Sequence, residues 1–184
     1  SHTDAKLLRA LNSLLPADMA VRSAEVVDAK FHPRFDAIAR LYRYRLFCQP
    51  LRDPMRERFD WRVWPVINTN LLADGAKLFL GTHDFSAFGS PTTPKGTTVR
   101  TVMKVEWQQV SGDEWHFEIQ ADAFLYRMVR RLVFIQVAVA QEITSVEAVA
   151  NSLAKPLPAG TRSGLPSGLA PAHGLTLVEV KYKE

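Results

Sequence analysis

The stretch Phe124-Leu125-Tyr126-Arg127-Met128-Val129-Arg130-Arg131-Leu132-Val133 constrains the chain more than any other. Phe124, Leu125, Met128, Leu132 and Val133 recur at helical spacing and predict a helix over about Ala123 to Gln141 with one face buried. Arg127, Arg130 and Arg131 lie three and four apart, so that helix would present them together on another face. A guanidinium cannot shed its charge, so three in one place require open water or anions. A solvated basic face is the plain alternative. The helix begins where the strand pattern Glu114 to Ala121 ends, a position from which a sheet can aim side chains into a cleft. That placement favours carboxylate or phosphate as the partner.

The remaining patterns give the frame around this helix. Ile38 to Phe47 alternates, with Tyr42, Tyr44 and Leu46 on one face and Arg43 and Arg45 on the other, which predicts a half-buried strand. Thr98 to Val110 and Glu114 to Ala121 read as two strands joined by Ser111-Gly112-Asp113. Shorter strands are expected at Met19 to Val27 and Arg62 to Val66, and a closing strand at Leu175 to Tyr182 with Leu175 and Leu177 buried. Helices are expected through Leu7 to Leu14, from Leu71 to about Leu80 behind an Asn68-Thr69-Asn70 cap, and at Ser145 to Leu153. Lys155 to His173 is a Pro/Gly/Ala-rich loop. The order suggests an α+β fold: a mostly antiparallel sheet with helices on one face and the other face free for a ligand.

Charge and cysteine content narrow the class. The 184 residues carry a net charge of +4. From Lys30 to Arg62 nine basic residues stand against four acidic ones (Asp36, Asp53, Glu57, Asp60), a local excess that suits a polyanion such as nucleic acid. Cys48 is the single cysteine, which excludes an intrachain disulfide and fits a reducing, cytoplasmic setting. No apolar run approaches the roughly twenty residues that span a bilayer, so no membrane partner is expected.

Several chemistries find no support. There is no Walker A or Gly-x-Gly-x-x-Gly sequence for a nucleotide cofactor, and no nucleophile elbow. His2, His32, His83, His116 and His173 are scattered, so no metal site is signalled. His83-Asp84 reads better as a capping pair at a helix end than as a base with its orienter. The residues alone describe a polyanion-binding α+β domain.

Five segments, in order along the chain, resemble the TruA-type tRNA pseudouridine synthases. Phe31-His32-Pro33-Arg34-Phe35-Asp36-Ala37 with Tyr42-Arg43-Tyr44 is similar to that family's Phe-His-Ala-Arg-Phe-Ser-Ala segment and Tyr-x-Tyr strand. Gly81-Thr82-His83-Asp84-Phe85-Ser86-Ala87-Phe88 resembles Gly-x-His-Asp-Phe-x-x-Phe, and Thr98-Val99-Arg100-Thr101-Val102 resembles Thr-Val-Arg-x-Val. Phe124 to Arg130 is similar to Phe-Leu-x-x-Met-Val-Arg, and Ala172-His173-Gly174-Leu175-Thr176-Leu177 to Ala-x-Gly-Leu-x-Leu. The resemblance implies a cofactor-free enzyme that isomerises uridine to pseudouridine at positions 38 to 40 of the tRNA anticodon arm. Its partner is tRNA, and the family works as a cytoplasmic homodimer.

The resemblance also implies roles. Arg130 matches the arginine that pairs with the catalytic aspartate, Tyr42 the tyrosine that stacks on the base, and Leu175 an apolar floor; an ordinary core leucine is the equal alternative for Leu175. Arg34, Arg43, Lys95, Arg100, Arg127 and Arg131 are implied RNA contacts. The family's Gly-Arg-Thr-Asp-Ala-Gly motif is missing; Thr3-Asp4-Ala5 lacks its flanking residues and lies too close to Asn12-Ser13-Leu14-Leu15-Pro16 to replace it. The chain therefore reads as residues 1–29 from an N-terminal lobe and 30–184 as the C-terminal lobe, inactive by itself. A non-catalytic RNA-binding domain of the same fold is the alternative. A second departure is Phe134-Ile135-Gln136, where the family places a glycine.

Overall fold

A computed structural model describes residues 2–93, 96–158, 161 and 163–183, and divides the chain into two compact units, Ser1–Asp36 and Ala37–Glu184.

The first unit holds helix α1 (His2–Leu14) and an irregular segment after it. The strand expected at Met19 to Val27 does not form. The Asn12 side chain takes both backbone groups of Val21, at 2.8 and 2.9 Å, in the place a neighbouring strand would occupy. Met19, Val26 and Val27 remain exposed. A turn closes the unit: the Asp36 carboxylate accepts from the His32 N–H at 2.7 Å, and His32 Nδ1 accepts from the Arg34 and Phe35 amides.

The second unit is built on β1 (Ala37–Cys48). Its neighbours are β2 (Trp61–Val63), β3 (Gly81–Asp84), β4 (Val99–Gln109), β5 (Glu114–Ala121) and β6 (Leu175–Tyr182), in the order β2-β1-β5-β4-β3. The other edge of β1 is shared: β6 pairs along Ala37 to Tyr44, and β2 along Leu46 to Cys48. Only β1–β2 is parallel among these pairs. The expected α+β class and antiparallel sheet are therefore found. Alternation sets the two faces, since Tyr42, Tyr44 and Leu46 lie opposite Ile119, Phe117 and Trp115, while Arg43 and Arg45 lie opposite Glu118 and His116.

Helices α2 (Thr69–Lys77), α3 (Met128–Ala140) and α4 (Val146–Ala154) pack on the apolar side. Tyr44, Phe117, Ile119, Met128, Leu132, Val133 and Ile135 are fully buried there, each apolar side chain contributing about 1.5–3 kcal/mol. Ten of the thirteen α3 residues are buried, and Arg130, Arg131 and Phe134 are the helix's less buried positions. Its Gln136 accepts from Trp107 Nε1 at 2.8 Å, which satisfies the polar group it buries. Asn68 and Ser145 cap α2 and α4 through their side chains.

Three features differ from expectation. Helix α3 starts at Met128 rather than Ala123, because Arg127 adopts φ 63°, which no right-handed helix includes, and the Tyr126 N–H donates to Ser90 O at 2.8 Å. His83 and Asp84 lie in β3; Asp84 caps a turn by accepting from the Ser86 amide at 2.8 Å rather than ending a helix. Leu177 is half-exposed, because β6 packs chiefly on β1. Among the described residues no helix is long and apolar enough to cross a membrane.

Candidate active site

Arg130 lies in the first turn of α3, Tyr42 midway along β1, and Leu175 at the start of β6. The structure brings all three to one pocket of about 90 Å³, completed by Phe124, Leu125, Arg127, Met128 and Val129. Phe124 meets Tyr42 edge to face, with ring centroids 5.1 Å apart, a preferred geometry that orients the tyrosine. The Tyr42 phenol has no hydrogen-bond partner among the described residues. Among the described residues no carboxylate lines the pocket.

Arg130 is held from behind. Its Nε donates to Ala170 O at 2.6 Å, and its own carbonyl accepts from the Ala170 amide at 3.2 Å. The two Nη groups make no hydrogen bond or ion pair among the described residues. Next to it the Tyr44 phenol donates to Pro171 O at 2.8 Å; burial raises its pKa far above the ordinary value, and the Arg130 charge opposes that rise. Gly174 then allows β6 to approach. A Cβ there would lie 2.7 Å from the Tyr44 ring and 2.9 Å from Arg45 O, so a larger residue would push Leu175 off the pocket.

Arg131 anchors the same loop one step further out. Its Nη1 donates to Pro166 O and, at 3.0 Å, to Gly168 O, and Nη2 reaches Ser163 Oγ at 3.5 Å. Burial lowers its pKa, and no carboxylate offsets this. Phe134, the departure from the family's glycine, lies against Gly168, where an added Cβ would come within 2.3 Å of the ring. Two arginines and a phenylalanine of α3 thus fix a loop that shows no periodicity in sequence.

Arg127 also lines the pocket of Tyr42 and Arg130; it is exposed as the residue before α3, its guanidinium 4.8 Å from the Tyr126 ring centroid. The other expected contacts lie elsewhere. Arg43 lies on the opposite sheet face and donates to Glu118 at 2.6 and 3.0 Å; Glu118 also accepts from Lys104 at 2.8 Å. Arg100 donates to the Thr97 and Val99 carbonyls. Arg34 is exposed in the first unit. Lys95 lies outside the described residues. Phe124 was missed as a site residue, although it opens the Phe-Leu-x-x-Met-Val-Arg pattern.

Five of the nine basic residues between Lys30 and Arg62 pair with carboxylates. Arg43 pairs with Glu118, Arg45 with Asp60, Arg52 and Arg62 with Glu57, and Arg56 with Asp113. Among the described residues, Arg127, Arg130 and Arg131 form no such pair. Glu57 and Asp60 belong to that segment itself, and Glu118 and Asp113 come from distant sequence, so the local basic excess is reduced but not removed.

A family profile described as tRNA pseudouridine synthase matches residues 76–183. The chain belongs to the tRNA pseudouridine synthase family. A protein of Geobacter sp. (strain M21) named tRNA pseudouridine synthase A is 37% identical over 175 residues, covering 95% of this chain and 68% of the relative. One of Solidesulfovibrio magneticus with the same name is 39% identical over 178 residues, covering 95% and 63%. A more distant one, tRNA pseudouridine synthase A 1 of Protochlamydia amoebophila, is 32% identical over 94% of this chain. The chain spans about two thirds of the length of these relatives. Among the described residues no three His, Cys, Asp or Glu side chains converge as a metal ion would need.

Proposed function

We propose that this chain supplies the arginine-and-tyrosine half of an active site that isomerises uridine to pseudouridine in the anticodon arm of tRNA. The observation that carries the reading is the convergence of Tyr42, Arg130 and Leu175 on one pocket with no carboxylate among its described lining residues.

The reaction breaks the bond from ribose to the ring nitrogen and forms one to a ring carbon. The nitrogen gains a proton as the carbon loses one, so atoms balance without redox chemistry. Each residue has a part. The Tyr42 ring, braced by Phe124, stacks on the uracil, and its unpartnered phenol accepts the proton leaving the carbon. Leu175 is the apolar floor. The unpartnered Nη groups of Arg130 hold an aspartate carboxylate ionised and aimed at the sugar. That aspartate comes from outside the pocket described, on the missing Gly-Arg-Thr-Asp-Ala-Gly segment.

A uridine in the anticodon arm must leave its stack to enter so small a pocket, at a cost of a few kcal/mol. Arg127 and Arg131, which pair with no carboxylate among the described residues, supply backbone contacts that offset it. Residues 1–29 belong, in this reading, to the N-terminal lobe; the working form is a cytoplasmic homodimer that binds tRNA across both subunits. Family membership supports these points.

The test is pseudouridine formation in unmodified tRNA at enzyme excess. The 184-residue chain should give none, and the full-length protein should give turnover. Pseudouridine from the short chain alone would overturn the split-site reading. Binding without turnover by the full-length protein would favour the non-catalytic alternative.

A further inference from the structure

A second pocket, of about 320 Å³, opens beside the first between the Ser86–Ser90 turn and the start of α3. The two pockets share Arg127. Buried Ala87 and Phe88 form the floor of the second, and Ser90, Tyr126, Arg127 and Arg131 its rim.

Its walls are fixed rather than loosely apposed. The Tyr126 amide donates to Ser90 O at 2.8 Å. A Cβ at Gly89 would lie 2.7 Å from Leu125 Cβ and 3.0 Å from Tyr126 O, so turn and strand end meet backbone to backbone. The Phe88 amide donates to Phe85 O at 2.8 Å, which sets the turn itself.

The chemistry at the rim is that of single-stranded RNA recognition. The Tyr126 ring is 56% exposed although the backbone beneath it is hydrogen-bonded. The Arg127 guanidinium lies over it at 4.8 Å. An exposed ring beside cations that lack carboxylate partners offers a stacking surface for a base and charge for its phosphate. We propose that this pocket receives the nucleotide adjacent to the target uridine, its base stacked on Tyr126 and its phosphate facing Arg127 with Arg131 behind. The subsite rests on the first pocket being the uracil site, because Arg127 at the shared wall sits where the strand must pass from one to the other.

The test uses an anticodon-arm RNA hairpin with 2-aminopurine replacing one or the other neighbour of the target uridine, titrated with the full-length protein. The wild type should quench the probe at one of the two positions. Tyr126→Ala should abolish that quench and weaken binding about tenfold, the scale of one lost base–aromatic stack. Tyr126→Phe should keep both, because it keeps the ring. Should Tyr126→Ala bind and quench as the wild type does, or should neither probe respond while the wild type still binds and turns over, the subsite is overturned and the uracil pocket stands. A wild type that neither binds the hairpin nor turns over removes the uracil-pocket reading and the subsite with it.

Discussion

Five arginines of β1, β2 and the segment between them and three at the start of α3 are the same residue type in opposite surroundings. Arg43, Arg45, Arg52, Arg56 and Arg62 each face a carboxylate within 3.3 Å. Arg130 and Arg131 face carbonyl oxygens, and Arg127 faces a ring. A carbonyl satisfies a donor without cancelling its charge, so the second group keeps its field and the first largely loses it. Field follows which acids the fold brings against which bases, and a count along the chain misplaces it.

Five substitutions sharpen or break that contrast. Arg130→Ala in the full-length protein should lower kcat about a hundredfold or more, with tRNA affinity within a few-fold of wild type. Single-turnover kinetics with a filter-binding titration measure both, and parallel loss of the two would reduce Arg130 to a loop anchor. Gly168→Ala should cost about 2 kcal/mol of stability in thermal unfolding, since φ is +148° and the Phe134 ring occupies the Cβ position. Unchanged stability would mean that the loop shifts freely and that Arg131 does not fix it.

The third concerns the neutralised face. Hydrogen bonds from Lys104 and then Arg43 hold the Glu118 carboxyl below the usual carboxylate range, against the opposing effect of burial. The folded state therefore binds this proton less readily than the unfolded chain. Its contribution is complete above about pH 4.5 and is lost as pH falls through the lower folded value. Glu118→Gln should cost about 1 kcal/mol at neutral pH, a modest figure because Arg43 and Lys104 are partly solvated, and should flatten stability below pH 4.5 in denaturant titrations. The smallest effect is on salt dependence. Arg127→Gln should reduce the slope of log affinity against log salt by about 0.7, and Arg56→Gln should leave it unchanged. Equal changes would erase the distinction between the two groups.

Periodicity made much of the fold legible. Tyr42-Arg43-Tyr44-Arg45-Leu46 alternates cleanly because β1 has one apolar and one charged face, and the Ser111-Gly112-Asp113 hairpin follows from turn chemistry. The start of α3 was not legible, because it depends on Ser90, 36 residues upstream, taking the Tyr126 amide and on the single dihedral angle of Arg127. Strand β3 is four residues long, too short to show a period. The Arg43–Glu118 pair joins residues 75 apart, so it left no local signal. The residues around the candidate pocket came from family-like motifs. Physical pattern singled out the α3 arginines but could not tell Arg130, with its Nη groups open to the pocket, from Arg131, whose donors go to the loop.

The paired hydrogen bonds between Arg130 and Ala170 have one more consequence. The Ala170 amide is fully buried and ends on the carbonyl of Arg130, so its proton can exchange with solvent only when the loop lifts from the helix. Its exchange rate is a clock for that opening. An RNA that seats against Arg130 should slow the clock, and a single amide signal would then report occupancy of the pocket in a protein performing no chemistry at all.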